Sequence, residues 1–445
     1  MLHKAHRGSY KIMVNLTKAN IINKSLFFLG AGFSYGTGCK TSIEMFADLR
    51  KRIFDEQDTT FSKTQKEALK FLIACLQYHA EWRTMETASG FAFMPNIEEL
   101  ALLIRRIRNR ENFLPYPITG NWADKLVMLE SEYSNESKNN SEYPEDALFE
   151  SLERVLKSLL KNDWFQINSD LSYLNPLLEF IQNTSIDDYK FEIFTLNNDM
   201  VIENYFSVNK EIPWRGFING RWQGIRNDTQ NDPYGRIDLY KLHGSIDWVR
   251  LEDMDVWEVE KLDDEKKENI QDKHNPYVIF GQGTKTFSVE PFFSLINHFN
   301  NRLNSSSKDY FFIIGYSFFD PYVNNLLFNA VKGFKKLIIV NPNFGPEKIF
   351  TKDKKPQPGP DNFFRIKYPA ETNQGDLTDY LREIQKNSFY SELPEFNYFT
   401  ISAENIEYIP LPTKDFIREF FSNNGDLLFE FIKVFEEEKE ISRPF

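Results

Sequence analysis

Two short polar segments carry residue types that could act on a sugar. Asn197 and Asp199 follow one apolar run, and His243 follows another. A carboxamide can hold a ribose hydroxyl or orient a water, a carboxylate can stabilise positive charge, and a histidine exchanges a proton near neutral pH. We therefore predict Asn197, Asp199 and His243 as catalytic residues. The alternatives are a turn residue for Asn197, a helix cap for Asp199 and a structural role for His243.

The glycine loop, which we define as residues 30–34 (Gly-Ala-Gly-Phe-Ser), could add a place for a phosphate group. It follows the apolar run 25–29, which is typical of a buried parallel strand. Its two glycines would let the backbone pass close to a diphosphate, and a helix opening there would offer free N–H groups and its positive dipole end. The dinucleotide fingerprint needs a third glycine three residues after the second, whereas Gly36 stands four residues after Gly32. A turn without a ligand is the alternative, and we expect Ser42 to cap the helix that follows.

The elements that position these segments alternate between strand and helix. We predict strands at 25–29, 191–195, 237–242, 277–280, 310–314 and 336–340. We predict helices at 42–52, 63–83, 96–110, 147–161, 170–182, 290–303, 321–332, 413–423 and 426–438, the last two separated by Gly425. This order predicts an α/β fold that is Rossmann-like, with a mostly parallel sheet, helices on both faces, a helical insertion and C-terminal helices.

Three regions are expected along the chain. Residues 1–20 form an N-terminal tail, 21–400 form the main domain with a helical insertion at about 44–185, and 401–445 form a C-terminal helical region. The stretch 130–146 is rich in Ser, Asn and Glu, which predicts a surface loop or a disordered segment. The helix from Asp426 has a wide apolar face that could dock either on the sheet domain or on another subunit.

The composition disfavours several classes of function. The chain has 445 residues, 41% of them hydrophobic, a formal net charge of −12 and a pI near 5.2. This charge disfavours general binding to nucleic-acid phosphates. Only Cys39 and Cys75 are present, too few for a four-thiolate zinc site and in keeping with a reducing compartment. No apolar run reaches signal-peptide or bilayer-spanning length, so we expect a cytoplasmic protein without direct nucleic-acid or membrane contact.

Five segments occur in the order found in one known family. They are 30–34, 195–199 with Glu203, 241–245, 315–320 and 340–342. They span about residues 25–345, and each follows a predicted strand. On these segments the chain resembles the sirtuin-like family, in particular its NAD-hydrolysing members found in bacterial antiphage defence.

The resemblance implies a Rossmann-like sheet that binds NAD across its strand ends. It implies that Asn197 binds the nicotinamide ribose and positions a water, and that His243 activates a ribose hydroxyl as a base. The residues that would bind the rest of NAD are Gly30, Ala31, Gly32, Ser34, Gly315, Ser317 and Asn341. Of these, Gly315 and Ser317 are expected at the adenosine-side ribose and phosphates, and Asn341 at the adenine ribose. Asp320 is expected to close the loop after its strand.

Two departures from the family bear on the chemistry. Protein-deacylating sirtuins carry a four-cysteine zinc module after the catalytic histidine, whereas the stretch 249–275 of this chain is acidic and lacks cysteine. Leu196 replaces the polar Gln of the deacylases, and Asn198 replaces a usual hydrophobe or Tyr. The resemblance therefore implies a hydrolase that converts NAD+ to ADP-ribose and nicotinamide, with NAD as its substrate and no metal. The alternatives are an NAD-dependent protein deacylase or ADP-ribosyltransferase, and a non-catalytic nucleotide-sensing module.

An unrestrained NAD+ hydrolase would be toxic to its cell, so we expect its activity to be controlled. The resemblance implies control by assembly into a homo-oligomer, or by a separate regulatory subunit such as a HerA-type ATPase or an Argonaute-like protein. The expected output in antiphage defence is depletion of NAD+.

Overall fold

The computed structural model gives the fold of most of the chain. It describes residues 17–86, 95–109, 122–140, 147–184, 190–226, 236–268, 270, 276–280, 289–318, 320–330, 333–341, 406–409 and 411–441. Most of the expected N-terminal tail, residues 141–146 of the expected loop, and Pro342 lie outside the described residues.

The described residues contain ten strands in two sheets. In chain order they are β1 (Ser25–Leu29), β2 (Phe191–Thr195), β3 (Phe217–Ile218), β4 (Arg221–Trp222), β5 (Ile237–Lys241), β6 (Trp248–Arg250), β7 (Val256–Glu258), β8 (Tyr310–Ile314), β9 (Lys336–Val340) and β10 (Ile406–Ile409). The larger sheet has the order β10-β9-β8-β1-β2-β5, and every neighbouring pair in it is parallel. This is the doubly wound Rossmann order, so the predicted Rossmann-like, mostly parallel sheet is confirmed. The smaller sheet, β3-β4-β7-β6, is antiparallel.

Helices connect most of these strands. In chain order they are α1 (Lys18–Lys24), α2 (Ser42–Phe54), α3 (Lys63–Glu86), α4 (Ile97–Arg108), α5 (Trp122–Asn140), α6 (Leu148–Leu159), α7 (Asn175–Asn183), α8 (Val201–Val208), α9 (Asp264–Glu268), α10 (Phe292–Leu303), α11 (Pro321–Ala330) and α12 (Thr413–Ile441). Among the helices of the described residues, none combines the length and apolarity that crossing a membrane requires.

Alternating side chains of the main sheet enter two separate apolar cores. Phe28 and Phe194 pack on one face against α10 and α11. Phe27 and Ile193 pack on the other face against α1, α7, α8 and α12. The period of two along each strand thus buries both faces of the sheet, as expected for parallel strands covered by helices. A third core forms where α2 to α6 pack on one another.

The described residues 406–409 and 411–441 pack with the main sheet. β10 is the edge strand, with Ile409 paired to Val340. α12 is interrupted at residues 422–425, where three consecutive residues have positive φ, so the predicted pair of helices separated near Gly425 is confirmed. After the break, Leu428 and Ile432 are buried in the core on that face of the sheet. The apolar face from Asp426 therefore docks on the sheet domain.

The predicted loop over 130–146 is wrong for residues 130–140, which form the second half of α5. Leu126, Leu129 and Tyr133 recur at helical spacing and are at most 8% exposed. They pack into the core shared with α3 and α6. Burial of this one apolar stripe outweighs the polar composition of the remaining faces of the helix.

The predicted strand at 277–280 is also wrong. Residues 276–280 make only an isolated bridge, from Val278 to Gly244. Val278 and Phe280 instead pack into the core of the helical region, where they join it to the sheet domain. A short apolar run signals burial, but the pattern cannot distinguish a buried strand from a buried loop.

Replacing Leu129 by alanine tests the corrected α5. Leu129 is fully buried, so we expect Leu129→Ala to lower the free energy of unfolding by about 2–5 kcal/mol. Val127 lies on the exposed side of the same helix, and Val127→Ala should change stability by less than about 0.5 kcal/mol. Urea unfolding of both variants measures the difference. Equal effects would show that this stretch is not packed as described.

Candidate active site

Strand pairing brings the predicted segments to one edge of the main sheet. The last residues of five strands are in register, because Lys241 pairs with Thr195, Thr195 with Leu29, Leu29 with Ile314, and Ile314 with Val340. All of these strands are parallel, so the chain leaves each of them at the same carboxyl edge. That edge is where open α/β sheets bind their ligands.

The glycine loop meets the exit of β8 at the centre of this edge, where the strand order reverses. The Gly30 N–H donates to the Ile314 carbonyl at 2.9 Å, and the Gly32 N–H donates to the Gly315 carbonyl at 2.8 Å. A Cβ on Gly32 would lie 2.8 Å from Cα of Gly315, which itself has a φ of +64°. The glycines are thus required for contact between two backbones, whether or not a ligand binds. Ala31 remains exposed on the outer side of the loop.

The helix expected directly after the glycine loop is not there. Ala31–Phe33 form a single 3-10 turn, and α2 begins only at Ser42. Gly36 and Gly38 have φ of +76° and +102°, which an α-helix does not accommodate. The expectation that a helix N-terminus faces a phosphate here is therefore wrong. The cap of α2 is Thr41, in a capping box, rather than Ser42.

The Asn197 carboxamide is held against the glycine loop. Its Nδ2 donates to the Gly30 carbonyl at 3.0 Å and to the Ser34 hydroxyl at 3.2 Å. A carbonyl oxygen can only accept, so Nδ2 and not Oδ1 must face Gly30. The Asn197 N–H also donates to the Thr195 hydroxyl at 3.0 Å. The protein thereby sets the direction of Oδ1, which points away from the glycine loop.

Asn198 links the segment that contains Asn197 to the segment that contains His243. Its Nδ2 donates to the His243 carbonyl at 2.7 Å and to the Gly244 carbonyl at 3.1 Å. In return, its own carbonyl accepts from the Ile246 N–H at 3.0 Å. The side chain is buried, so breaking this link would leave polar groups without partners inside the protein. Asn198 therefore fixes the backbone of His243 relative to the neighbouring Asn197.

The His243 side chain contacts the loop after β8 as well as its own strand. Nε2 lies 3.3 Å from Oδ2 of Asp320, and the two side chains are 15% and 12% exposed. The backbone carbonyl of His243 accepts from the Ile279 N–H at 2.8 Å. A hydrogen bond thus holds the backbone of His243, while its ring lies beside a carboxylate from a different element and keeps a small part of its surface accessible.

Asp199 lies beneath this surface rather than on it. It is 6% exposed, and its Oδ1 accepts from the Val201 N–H at 3.0 Å at the start of α8. Its carboxylate is also hydrogen-bonded to the Ser34 side chain. Burial raises the pKa of the Asp199 carboxyl above its ordinary value, while nearby Lys241 acts in the opposite direction. The structure thus places Asp199 just before α8, where its carboxylate binds the Val201 N–H and also supports Ser34.

A buried network of charges lies beneath the segments that contain Asn197 and His243. Lys241 is 1% exposed, and its Nζ lies 2.8 Å from both the Glu203 carboxylate and the Ser245 hydroxyl. Glu203 is 3.3 Å from Arg215, which also pairs with Asp247 at 2.8 Å and with Glu258. Each charge has an opposite charge beside it, which is the condition for burying such groups. These ion pairs fasten the ends of β2 and β5 to the small sheet.

Two asparagine side chains form hydrogen bonds with backbone carbonyls of the loop over residues 315–320. The Asn341 side chain donates to the Tyr316 carbonyl at 3.1 Å, and the Asn324 side chain donates to the Phe318 carbonyl. Phe318 has a φ of +55°, an uncommon conformation for an aromatic residue, and these bonds maintain it. Ser317 is exposed at the tip of the loop. Asn341 therefore supports this loop from inside, whereas the Ser317 side chain is exposed to solvent.

The chain after His243 folds through apolar and ionic contacts. Val249, Leu251 and Leu262 form a small core with Trp257 packed against it. Within the described residues, no group of three or more His, Cys, Asp and Glu side chains is arranged to hold a metal ion.

Three residues at this edge have functions that sequence reasoning missed. The family resemblance marks Asn198 only as a departure, gives Lys241 no role, and implies for Asp320 only the closure of its loop. A lysine at the last position of an apolar strand signals a buried counter-charge nearby. Asp320 directly before Pro321 signals a helix cap, but nothing local indicates that His243 lies beside it.

Replacing Gly315 by alanine tests the contact between the two loops. The positive φ and a Cβ 2.7 Å from the Gly32 carbonyl carbon should together cost at least about 1–2 kcal/mol of stability. A Cβ added at Gly333 would meet no heavy atom within 4 Å, so Gly333→Ala should be neutral within about 0.5 kcal/mol. Thermal unfolding compares the two. A Gly315→Ala variant as stable as the parent would contradict the described contact.

The raised pKa of Asp199 predicts a pH-dependent stability. Because the folded state binds this proton more readily than the unfolded state, ionised Asp199 lowers stability at neutral pH, and acidification relieves that cost. Asp199→Asn keeps a side-chain oxygen that accepts from the Val201 N–H but removes the charge, so its stability relative to the parent should be greatest at neutral pH. The advantage should shrink as the pH falls towards the ordinary pKa of 3.8. Urea unfolding over a pH series measures it.

Asp170 is the matched control for this experiment, because its hydrogen bonds with Ser172 lower its pKa. Any stability advantage of the parent over Asp170→Asn should therefore decrease as the pH falls. For Asp199→Asn it is the advantage of the variant that decreases, so the two trends are opposite. An Asp199→Asn advantage that stays constant or grows on acidification would contradict the assigned burial of the carboxylate.

Comparison with known proteins gives a partial match. Residues 192–355 match the family described as the SIR2-like domain, a stretch that contains Asn197, His243, Gly315 and Asn341 but not the glycine loop. No match was found among curated proteins. A solved structure described by the words "Structural Basis for the Mechanism and Regulation of Sir2 Enzymes" is 14% identical over 74% of this chain and 85% of that chain, with a TM-score of 0.30. Residues 192–355 are thus similar in sequence to SIR2-like domains, in agreement with the resemblance carried by the motifs.

Proposed function

We propose that this chain hydrolyses NAD+ to ADP-ribose and nicotinamide. The observation that carries the proposal is the placement of Asn197 and His243, which follow in-register ends of neighbouring strands and are joined through Asn198. The match of residues 192–355 to the SIR2-like domain supports a sirtuin-type, NAD-dependent function. The hydrolytic outcome is our inference from the chemistry of the site.

The glycosidic bond of NAD+ is already activated, because the nicotinamide ring carries positive charge and leaves as a neutral molecule. Its cleavage passes through a transition state with oxocarbenium character, as in sugar hydrolysis generally. An enzyme must therefore fix the ribose, stabilise developing positive charge and admit water from one side. Side chains alone can supply these functions.

Asn197 and His243 divide these tasks between them. Because Nδ2 of Asn197 is bound by the glycine loop, Oδ1 is the atom that would accept from a ribose hydroxyl or orient the attacking water. His243 would take a proton from a ribose hydroxyl as a general base. Asp199 would act indirectly, as a positioning residue that holds Ser34 and through it Asn197.

The remaining predicted contacts would hold the rest of the nucleotide. Ala31 and Ser317 are exposed on the two loops that meet at the strand-order reversal, so the diphosphate and the adenosine-side ribose would lie over them. Asn341 would serve mainly by supporting the 315–320 loop from below. Control by assembly or by a separate subunit, and a role in NAD+ depletion during antiphage defence, belong to the same proposal.

Substitution of the catalytic pair tests the proposed reaction. His243→Ala and Asn197→Ala should each reduce nicotinamide release from NAD+ by roughly 10²–10⁴-fold, because each removes a group acting on the reacting ribose. Chromatography with mass spectrometry measures nicotinamide and ADP-ribose over a range of protein concentrations, with and without a candidate partner subunit.

His79 is the control histidine, since it lies on α3 in the helical region. His79→Ala should keep the parent rate. Parent activity in His243→Ala would contradict the assignment of the base. Adding an acetylated peptide to the parent distinguishes the hydrolase from the deacylase alternative. Deacylation of the peptide coupled to nicotinamide release would favour the deacylase.

A further inference from the structure

Asp320 is held at the carboxyl edge through both its side chain and its backbone. Its Oδ1 accepts from the Val323 N–H at 2.9 Å and so caps α11. Its backbone N–H donates to the Tyr316 hydroxyl at 3.3 Å, and its carbonyl accepts from the Asn324 N–H at 2.9 Å. Three of its polar groups are thus fixed by neighbours, which determines where the second carboxylate oxygen points.

That second oxygen, Oδ2, lies 3.3 Å from Nε2 of His243. Both side chains are largely withdrawn from solvent, so their interaction is screened less than at the surface. The geometry of this contact falls short of a hydrogen bond, and such contacts between functional groups commonly tighten when substrate binds. A carboxylate beside an imidazole at this distance can therefore act on its tautomer and orientation.

We propose that Asp320 is the positioning residue of His243, accepting a hydrogen bond from the Nε2–H so that Nδ1 carries the lone pair. This inference rests on the proposed function, in which His243 takes a proton from a ribose hydroxyl. When the proton arrives, the carboxylate also stabilises the imidazolium that forms. A base held by a third group in this way is a recurring arrangement in enzymes that act through histidine.

The helix cap alone does not account for the charge of Asp320. A cap needs only one acceptor oxygen, and asparagine caps a helix as well as aspartate does. Asp263 provides a direct comparison, because its Oδ1 accepts from the Lys266 N–H, three residues ahead, at 2.8 Å. Asp263 is exposed and lies at the start of α9, so the same substitution there removes a capping carboxylate without touching His243.

Asp320→Asn therefore removes the negative charge while keeping a side chain that can cap α11. We expect kcat for nicotinamide release to fall roughly 10–10³-fold, because the imidazole loses its orienting acceptor. KM for NAD+ should stay within about threefold, since the nucleotide contacts are untouched. Asp263→Asn should keep the parent kcat and KM. Equal melting temperatures of the two variants and the parent show that both remain folded, and a parent kcat in Asp320→Asn would overturn the proposal.

The tautomer of His243 provides a second measurement, because it would not change if Asp320 had only a structural role. In ¹⁵N-histidine-labelled protein, long-range ¹H–¹⁵N spectra distinguish Nε2–H from Nδ1–H, and His243→Ala assigns the signal. We expect the Nε2–H form in the parent and in Asp263→Asn, and its loss or mixing in Asp320→Asn. An Nδ1–H form in the parent would overturn the proposal.

These measurements also test the proposed hydrolase activity and the proposed role of Asp320 separately. If the parent releases no nicotinamide, the hydrolase proposal fails, and the spectra still decide whether Asp320 holds the imidazole. If the parent is active and Asp320→Asn is unchanged in rate and tautomer, the hydrolase proposal stands and the role of Asp320 does not.

Discussion

In-register pairing of parallel strands is the constraint on which the site depends. Leu29, Thr195, Lys241, Ile314 and Val340 end their strands level with one another, so the segments that follow emerge side by side. A shift of one residue in any pair would turn the side chains of that strand to the opposite face and exchange its two cores. Burial on both faces therefore enforces the register, and the register brings residues far apart in sequence to one edge.

The edge is held together by buried polar contacts rather than by the sheet alone. Asn198 links the ends of β2 and β5, and Lys241 sits beneath them in a network of opposite charges. Such groups gain little net stability, because desolvation offsets most of their attraction. Their benefit is geometric, since removing one partner leaves the other unpaired in the interior. Asp199 shows the cost directly, because burial raises the pKa of a carboxylate kept below the surface.

Local sequence patterns predicted which strands and helices form better than they predicted what packs around each of them. Apolar runs identified five strands of the main sheet, because strands buried on both faces must be apolar throughout. The strand prediction at 277–280 was wrong because these residues are buried as a loop between the core of the sheet and that of the helical region, with only an isolated bridge. The loop prediction for residues 130–140 was wrong because they continue α5. The three buried apolar side chains of α5 stabilise this helix although its other faces are polar. The absent helix after the glycine loop depends on the positive φ of Gly36 and Gly38, a choice that composition does not reveal.

By itself, the sequence determined the class of fold, the strand ends and the residue types at them, because hydrophobic periodicity and residue chemistry are local properties. The roles it could not assign arise from contacts across the chain. Asn198 reaches a carbonyl 45 residues away, and Asp320 meets His243 only because β8 and β5 end at the same edge. Tertiary structure decided those partners, since side-chain orientation depends on packing between elements and not on neighbours in sequence.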